Sequence, residues 1–460
     1  MTLSYQLTKH PIGTKREFWA LTWPLMIGLI SSTLMMFVDR LFLAWFDPLA
    51  LNAAASGGMA YYIFLVIPIG VVAIAEVLVG RLHGEGKLEE IGSAAWQMIW
   101  FACLMLPIFC FIGWGLPGFL FAGTGNEVYE TEYFQTLMYF AVFQCSVVAL
   151  SGFFIGVGNV SIVTIAALIG NVVNIGLDYV MIFGWGPFPE WGVTGAAIAT
   201  GISQVAQVLF LFAIFWNSKN RKCFRTQRFQ YNKSYFFEGL WIGLPSGLGR
   251  CMEVIAHFLF FRIIMSVGAE QMMIVTMVQS FYILFSFVIE AESKGASAIA
   301  ANLLGANVLG SLGRVLKSSF ILHIFYFALF AGSLCLFPDF FLRIFASSEN
   351  AQLLADPKVI HTFFVCMLLM SLFFLVDGFG WILGGVLTAA GDTRYVLWVS
   401  LAVNWFAYLL PTFWLIGVNK GGPEIAWLII VMATSLTVIS YYFRYRSGTW
   451  LKQYHVLQQA

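Results

Sequence analysis

Twelve apolar blocks, joined by short polar turns, follow one another along this chain. They begin near Phe18, Gly57, Ser93, Tyr133, Val160, Val193, Phe236, Gln271, Ser319, His361, Tyr395 and Ile425. A helix crosses ~30 Å of hydrocarbon in roughly 20 residues, and each block reaches that length. The pattern predicts an all-α integral membrane protein of twelve transmembrane helices. Lys9, Lys15 and Arg16 precede the first block as they would in a signal peptide. That block, residues 18–46, is too long for one and has no A-x-A-like cleavage site, so it reads as a retained first span.

Composition agrees with this pattern. Hydrophobic residues make up 60% of the 460 and charged residues 10%, where soluble domains carry roughly 25%. A water-soluble surface cannot be built from that. The net charge of +1 provides no basic field for nucleic acid. The seven cysteines (103, 110, 145, 223, 251, 335 and 366) contain no C-x-x-C pair, which predicts neither a disulfide framework nor a cysteine metal site. No cofactor is expected.

Counting charges by loop gives an orientation. Seventeen of the 24 Lys and Arg, Lys452 among them, fall on the side of the termini; Arg343, Lys358 and Lys420 fall on the other, and Arg40, Arg250, Arg262 and Lys294 lie inside spans. The positive-inside rule then places both termini in the cytoplasm. Residues 217–234 form the longest polar stretch, near the middle of the chain. They divide it into an N-lobe (1–216), a cytoplasmic linker (217–235) and a C-lobe (236–460).

A repeat supports this division. Pro24, Gly28 and Gly84 recur 221 residues later as Pro245, Gly249 and Gly305. Gly152, Gly158, Asn171 and Gly184 recur at an offset of 233 as Gly385, Gly391, Asn404 and Gly417. Six spans are an even number, so both lobes start on the same side. They are parallel repeats related by a pseudo-two-fold axis along the membrane normal, with a cleft between them.

A carboxylate at mid-membrane costs roughly 2.5–3.5 kcal/mol on insertion scales, so each one should face a cavity or a partner. Asp39, Asp178, Glu253 and Asp377 are the four to explain. None is repeated: the offsets lead to Phe260, Pro411, Ser32 and Gln144. Asn171, Asn174 and Asp178 stand at i, i+3 and i+7 on one helix face. With Asp39 they form either a cluster of oxygen ligands for a proton or Na⁺, or a hydrogen-bonded seam between helices. In the seventh span Arg250, Glu253 and His257 share a face, which allows an Arg250–Glu253 pair. The eighth carries Glu290, Glu292 and Lys294, with Glu290 and Lys294 at salt-bridge spacing; this charge network is open to structural and functional readings alike. Glu76 and His83 have no identifiable partner.

Four stretches carry a resemblance. They are residues 24–39, leading into FVDR; GNVVNIGLDYVMIFGWG at 170–186, followed by GVTGAAIAT at 192–200; GLP at 243–245 with Glu253 eight residues after the proline; and VDGFGWILGGVLTAAGDT at 376–393. In this order they resemble the multidrug and toxic compound extrusion (MATE) family, nearest its NorM-type branch, over nearly the whole chain. The resemblance implies two six-helix lobes in an outward-opening V that export organic cations against Na⁺ or H⁺ entry. It also implies an N-lobe cation site, with Na⁺ as one possible occupant, at Asp39, Asn174, Asp178 and Thr200, and a C-lobe site at Glu253 and Asp377. Where that C-lobe site commonly has a tyrosine one turn before the aspartate, this chain has Phe373.

The sequence therefore reads as a monomeric antiporter of a bacterial inner membrane that exports lipophilic organic cations. Carboxylates would attract such cations and aromatic rings would stack on them. A rival is a lipid-linked precursor flippase of the same superfamily, which wants a basic cleft; Arg40, Arg250 and Arg262 keep it open. A membrane-embedded enzyme is disfavoured, since neither HExxH nor GxSxG is present.

Overall fold

In a computed structural model the chain forms long helices joined by short turns. The structure describes residues 6–337, 340–341, 344, 356–451 and 454. Arg343 and Lys452 of the charge count lie outside the described residues, as does the side chain of Cys335.

Among the described residues, twelve long helices follow the twelve apolar blocks. In the first half these are α1 (Lys15–Phe46), α2 (Pro48–Gly84), α3 (Leu88–Gly115), α4 (Glu127–Gly156), α5 (Val160–Phe183) and α6 (Gly192–Phe215). The second half has α7 (Lys233–Met265), α8 (Ala269–Gly305), α9 (Leu309–Leu334), α10 (Pro357–Ala389), α11 (Thr393–Val418) and α12 (Pro423–Arg446). Among the described residues, all but α7 are long and apolar enough by composition to cross a membrane. Arg250, Glu253, His257 and Arg262 make α7 the less apolar exception.

Local chemistry sets the helix starts. Thr14 caps α1 by accepting from the Glu17 N–H at 3.3 Å, which satisfies one of the free donors at the helix N-terminus, while the Glu17 carboxylate reaches back to the Gly13 N–H at 2.6 Å and fixes the entering chain. Proline opens α2, α10 and α12 at a position that needs no N–H. Pro24 and Pro245 lie inside α1 and α7, and α2 breaks briefly between Val72 and Ala75. The α11 helix widens into π-turns at Val403–Leu409 and Phe413–Val418.

The repeat appears as reciprocal packing. A Cβ on Gly84 of α2 would lie 2.0 Å from the Asn302 carbonyl oxygen of α8, and a Cβ on Gly305 of α8 would lie 2.0 Å from the Arg81 carbonyl oxygen of α2. The 221-residue offset maps Gly84 onto Gly305 and Arg81 onto Asn302, so each contact is the image of the other. The same relation joins Gly243 against Ile74 to Gly295 against Thr22. Only glycine allows backbones this close. The pseudo-two-fold axis passes through this crossing of α2 and α8.

On the side that carries the termini the two lobes are tied together. Arg81 of α2 is buried there, donating to the Ala389 carbonyl through Nε (2.9 Å) and Nη2 (2.6 Å) and pairing with Glu238 at 2.9 Å. The ring of Tyr454 lies 5.3 Å from its guanidinium. All three partners belong to the second half of the chain. Residues 218–232 dock on α3, where Trp96 Nε1 donates to the Thr226 carbonyl (2.7 Å) and Gln97 Nε2 to that of Gln230 (3.1 Å). The polar middle of the chain is thus an ordered strap.

Candidate functional site

The N-lobe residues named from the sequence converge where α1, α5 and α6 meet. Asp178 and Asn174 are fully buried, and Asp39 and Asn171 nearly so. Asn174 Nδ2 approaches the Thr200 hydroxyl at 3.4 Å, and Asn171 Nδ2 donates to Ser31 Oγ at 2.7 Å. Asp39 Oδ1, Asn174 Oδ1 and both carboxylate oxygens of Asp178 are buried with no hydrogen-bond partner among the described residues. The two carboxylates act on each other electrostatically. Buried polar atoms are nearly always bonded, so four such oxygens in one place form a donor set suited to a proton or a small hard cation. Thr200 is held at its edge, and Asn171 is turned away to Ser31.

Between the lobes lies a cavity of ≈ 780 Å³ lined from both halves of the chain. Glu76, Tyr62, Gln144 and Gln207 face it from the N-lobe. Arg250, Glu253, His257, Glu290, Lys294 and Asp377 face it from the C-lobe, with Trp381, Tyr408 and Tyr441 as aromatic walls. Four acids thus meet two cationic side chains and one histidine, and each of the three has a partner. Lys294 is paired with Glu290 at 2.7 Å, as the i, i+4 spacing predicts. Arg250 stacks over the Trp381 ring at 4.1 Å and makes no ion pair with Glu253 among the described residues. His257 Nδ1 bonds the Glu253 backbone carbonyl at 3.0 Å.

Glu292 separates from its sequence neighbours. It is fully buried on the far side of α8, where Oε2 lies 2.7 Å from Nδ1 of His323 on α9. Helical geometry explains this, because residues two apart point to nearly opposite faces.

Asp377 brings a second departure. Its Oδ2 accepts from the hydroxyl of Tyr282, on α8, at 2.6 Å, and the Tyr282 ring packs on Phe373 with centroids 4.8 Å apart. A tyrosine hydroxyl therefore reaches the aspartate, from a different helix than the family pattern suggests. Sequence reasoning missed Tyr282 and His323 because no spacing within one helix signals either. It also left Glu76 and His83 unpartnered. Glu76 lies within electrostatic reach of Lys294, and His83 Nδ1 is 3.0 Å from Asn302 Nδ2 of the opposite lobe.

Comparison with known proteins agrees with this geometry. The MatE family model matches residues 24–180 and 245–413, one stretch in each half. A protein of Pseudomonas syringae pv. tomato named "Probable multidrug resistance protein NorM" is 25% identical, covering 95% of this chain and 97% of its own length. A crystal structure of MATE in complex with MaL6 superposes with a TM-score of 0.86 at 19% identity over the whole of both chains. An outward-facing multidrug resistance MATE family transporter of the MOP superfamily gives 0.84 at 19%. At these identities the superpositions establish the fold, and the family match establishes the membership. With twelve long helices among the described residues, eleven of them apolar enough to cross a membrane, two halves related by reciprocal glycine contacts and an acid-lined cavity between them, this chain belongs to the MatE family of membrane transporters and is not an enzyme.

Proposed function

We propose that the chain is a secondary antiporter of the bacterial inner membrane, exporting lipophilic organic cations by alternating access while Na⁺ or H⁺ moves inward. The observation that carries this reading is the charge of the interlobe cavity. Glu76, Glu253, Glu290 and Asp377 outnumber Arg250 and Lys294, and the two bases are already engaged by Trp381 and Glu290. With Glu290 offset by Lys294, a cationic guest meets Glu76, Glu253 and Asp377 against the one remaining charge of Arg250, beside aromatic walls that hold flat cations. The relatives' name, multidrug resistance protein, agrees with such a guest.

The coupling ion is assigned to the N-lobe oxygens of Asp39, Asn174 and Asp178, supported by their lack of protein donors. Alternation would break the ties at Arg81 and open the end that carries the termini, which the charge asymmetry assigns to the cytoplasm. A single chain contains both lobes and the cavity, so a monomer suffices. The flippase reading loses support, because Arg40 and Arg262 are exposed and do not line the cavity. The test is ethidium efflux from proteoliposomes under an imposed Na⁺ or H⁺ gradient, each alone. One gradient should drive accumulation outside; efflux indifferent to both would contradict the antiporter.

A further inference from the structure

Glu292 and His323 form a buried titratable pair that the proposed function does not use. Both side chains are fully buried. From α9 the imidazole reaches two other helices: Nδ1 meets Glu292 Oε2 of α8 at 2.7 Å, and Nε2 lies 3.2 Å from the backbone carbonyls of both Phe374 and Leu375 of α10. The ring stacks on Phe374 with centroids 5.3 Å apart and contacts Phe379 edge-on at 5.5 Å. It also fills the space at Gly378, where a Cβ would fall 2.1 Å from the imidazole Cε1. His323 therefore grips the turn of α10 that holds Asp377.

The chemistry of these contacts fixes the proton count. A carbonyl oxygen only accepts, so Nε2 must carry hydrogen to satisfy its two neighbours. At 2.7 Å, Nδ1 and Oε2 must then share one further proton, on either atom. Without that proton, the imidazole has one N–H for two acceptor sites. Either Nδ1 points a lone pair at the carboxylate or Nε2 points one at the carbonyls, and a buried contact of that kind is costly.

We propose that Glu292 and His323 are positioning residues: their shared proton locks the imidazole onto the carbonyls of Phe374 and Leu375 and so holds Asp377 toward the interlobe cavity. This rests on the reading of Asp377 as a cation-binding carboxylate. Around the pair, α10 contributes Asp377 itself and α9 contributes Tyr326, while α1 meets the region through the uncharged Trp19, 6.1 Å from the Tyr326 ring. Glu292 and His323 are the groups that exchange the proton.

The test uses the full chain in proteoliposomes, with ethidium efflux read across pH at a fixed driving gradient. Glu292→Gln supplies an amide N–H to Nδ1, so the clamp needs no exchangeable proton. Wild type should lose efflux on the alkaline limb, and Glu292→Gln should keep it. His323→Gln should reduce efflux about tenfold at every pH, and the double variant His323→Gln/Asp377→Asn should be no slower than Asp377→Asn alone, since the two act through one group. An alkaline limb in Glu292→Gln identical to wild type overturns the proposal, as do additive losses in the double variant. Because His323→Gln can fail to fold, ¹⁵N-histidine NMR of wild type and Glu292→Gln gives an independent reading. The Nδ1 resonance of wild type should shift on the same alkaline limb as the shared proton leaves, and Glu292→Gln should hold the neutral Nε2–H form at every pH; a wild-type Nδ1 resonance that does not move with pH overturns the clamp. Full efflux in Asp377→Asn would instead overturn the role given to Asp377, leaving the NMR result to judge the pair.

Discussion

Asp39 and Asp178 of the N-lobe stand among oxygens that find no hydrogen-bond donor among the described residues, whereas in the C-lobe Asp377 is already engaged by Tyr282 and Glu290 by Lys294. The scaffold around them is symmetric to the level of reciprocal glycine contacts. The difference teaches that one fold copied twice can hold acids in two conditions. A carboxylate without donors needs a proton or a cation to be stable in a membrane interior. One with a hydroxyl or ammonium partner does not. On our reading the first kind suits obligatory coupling and the second suits a guest that comes and goes.

The largest expected effect breaks the comparison at its N-lobe end. Asp178→Asn, and separately Asp39→Asn, should lower gradient-driven efflux at least about a hundredfold, equivalent to about 2.7 kcal/mol, while the protein still inserts and elutes as a single species. Efflux assays paired with size-exclusion profiles read both. Next, the symmetry of the scaffold is testable by Gly84→Val and Gly305→Val. Each side chain would press on the opposing carbonyl, and overpacking costs about 1–3 kcal/mol or more. Thermal melts of the two should fall alike; a fall in one alone would show that the crossing is not functionally two-fold.

In the C-lobe, Glu253→Gln and Asp377→Asn should each weaken efflux about tenfold, or about 1.4 kcal/mol, with the response to the gradient retained. The smallest effect belongs to Phe373→Tyr. Tyr282 already donates to Asp377, so a second hydroxyl should change efflux less than about threefold, under about 0.7 kcal/mol. A larger gain would mean that Tyr282 does not replace the hydroxyl.

Much of this architecture was legible in the sequence because membrane helices announce themselves by length and apolar content, and because glycines at helix crossings leave a matched order in both halves. Gly84 and Gly305 stand at the 221-residue offset in the sequence, and in the fold each packs against the image of the other's partner. The pairing of Glu290 with Lys294 followed from helical spacing, and the same geometry should have set Glu292 apart from them. Arg81 was counted among loop charges, yet it is buried between the lobes, since a side chain at a helix end can turn inward as easily as outward. Tyr282 and Asp377 are joined across helices 95 residues apart in sequence, and no local pattern encodes such a contact. The π-turns of α11 and the docked strap on α3 were likewise invisible, because both depend on what packs beside them.

On our reading the N-lobe acids carry the coupling and the C-lobe acids modulate it. The most direct measurement compares Asp39→Asn and Asp178→Asn with Glu253→Gln and Asp377→Asn in proteoliposomes, as the ratio of ethidium efflux with and without the driving Na⁺ or H⁺ gradient. The ratio should be near one for the N-lobe variants and close to wild type, at reduced rate, for the C-lobe variants. Loss of the gradient response in Glu253→Gln and Asp377→Asn, with Asp39→Asn still responding, would contradict it.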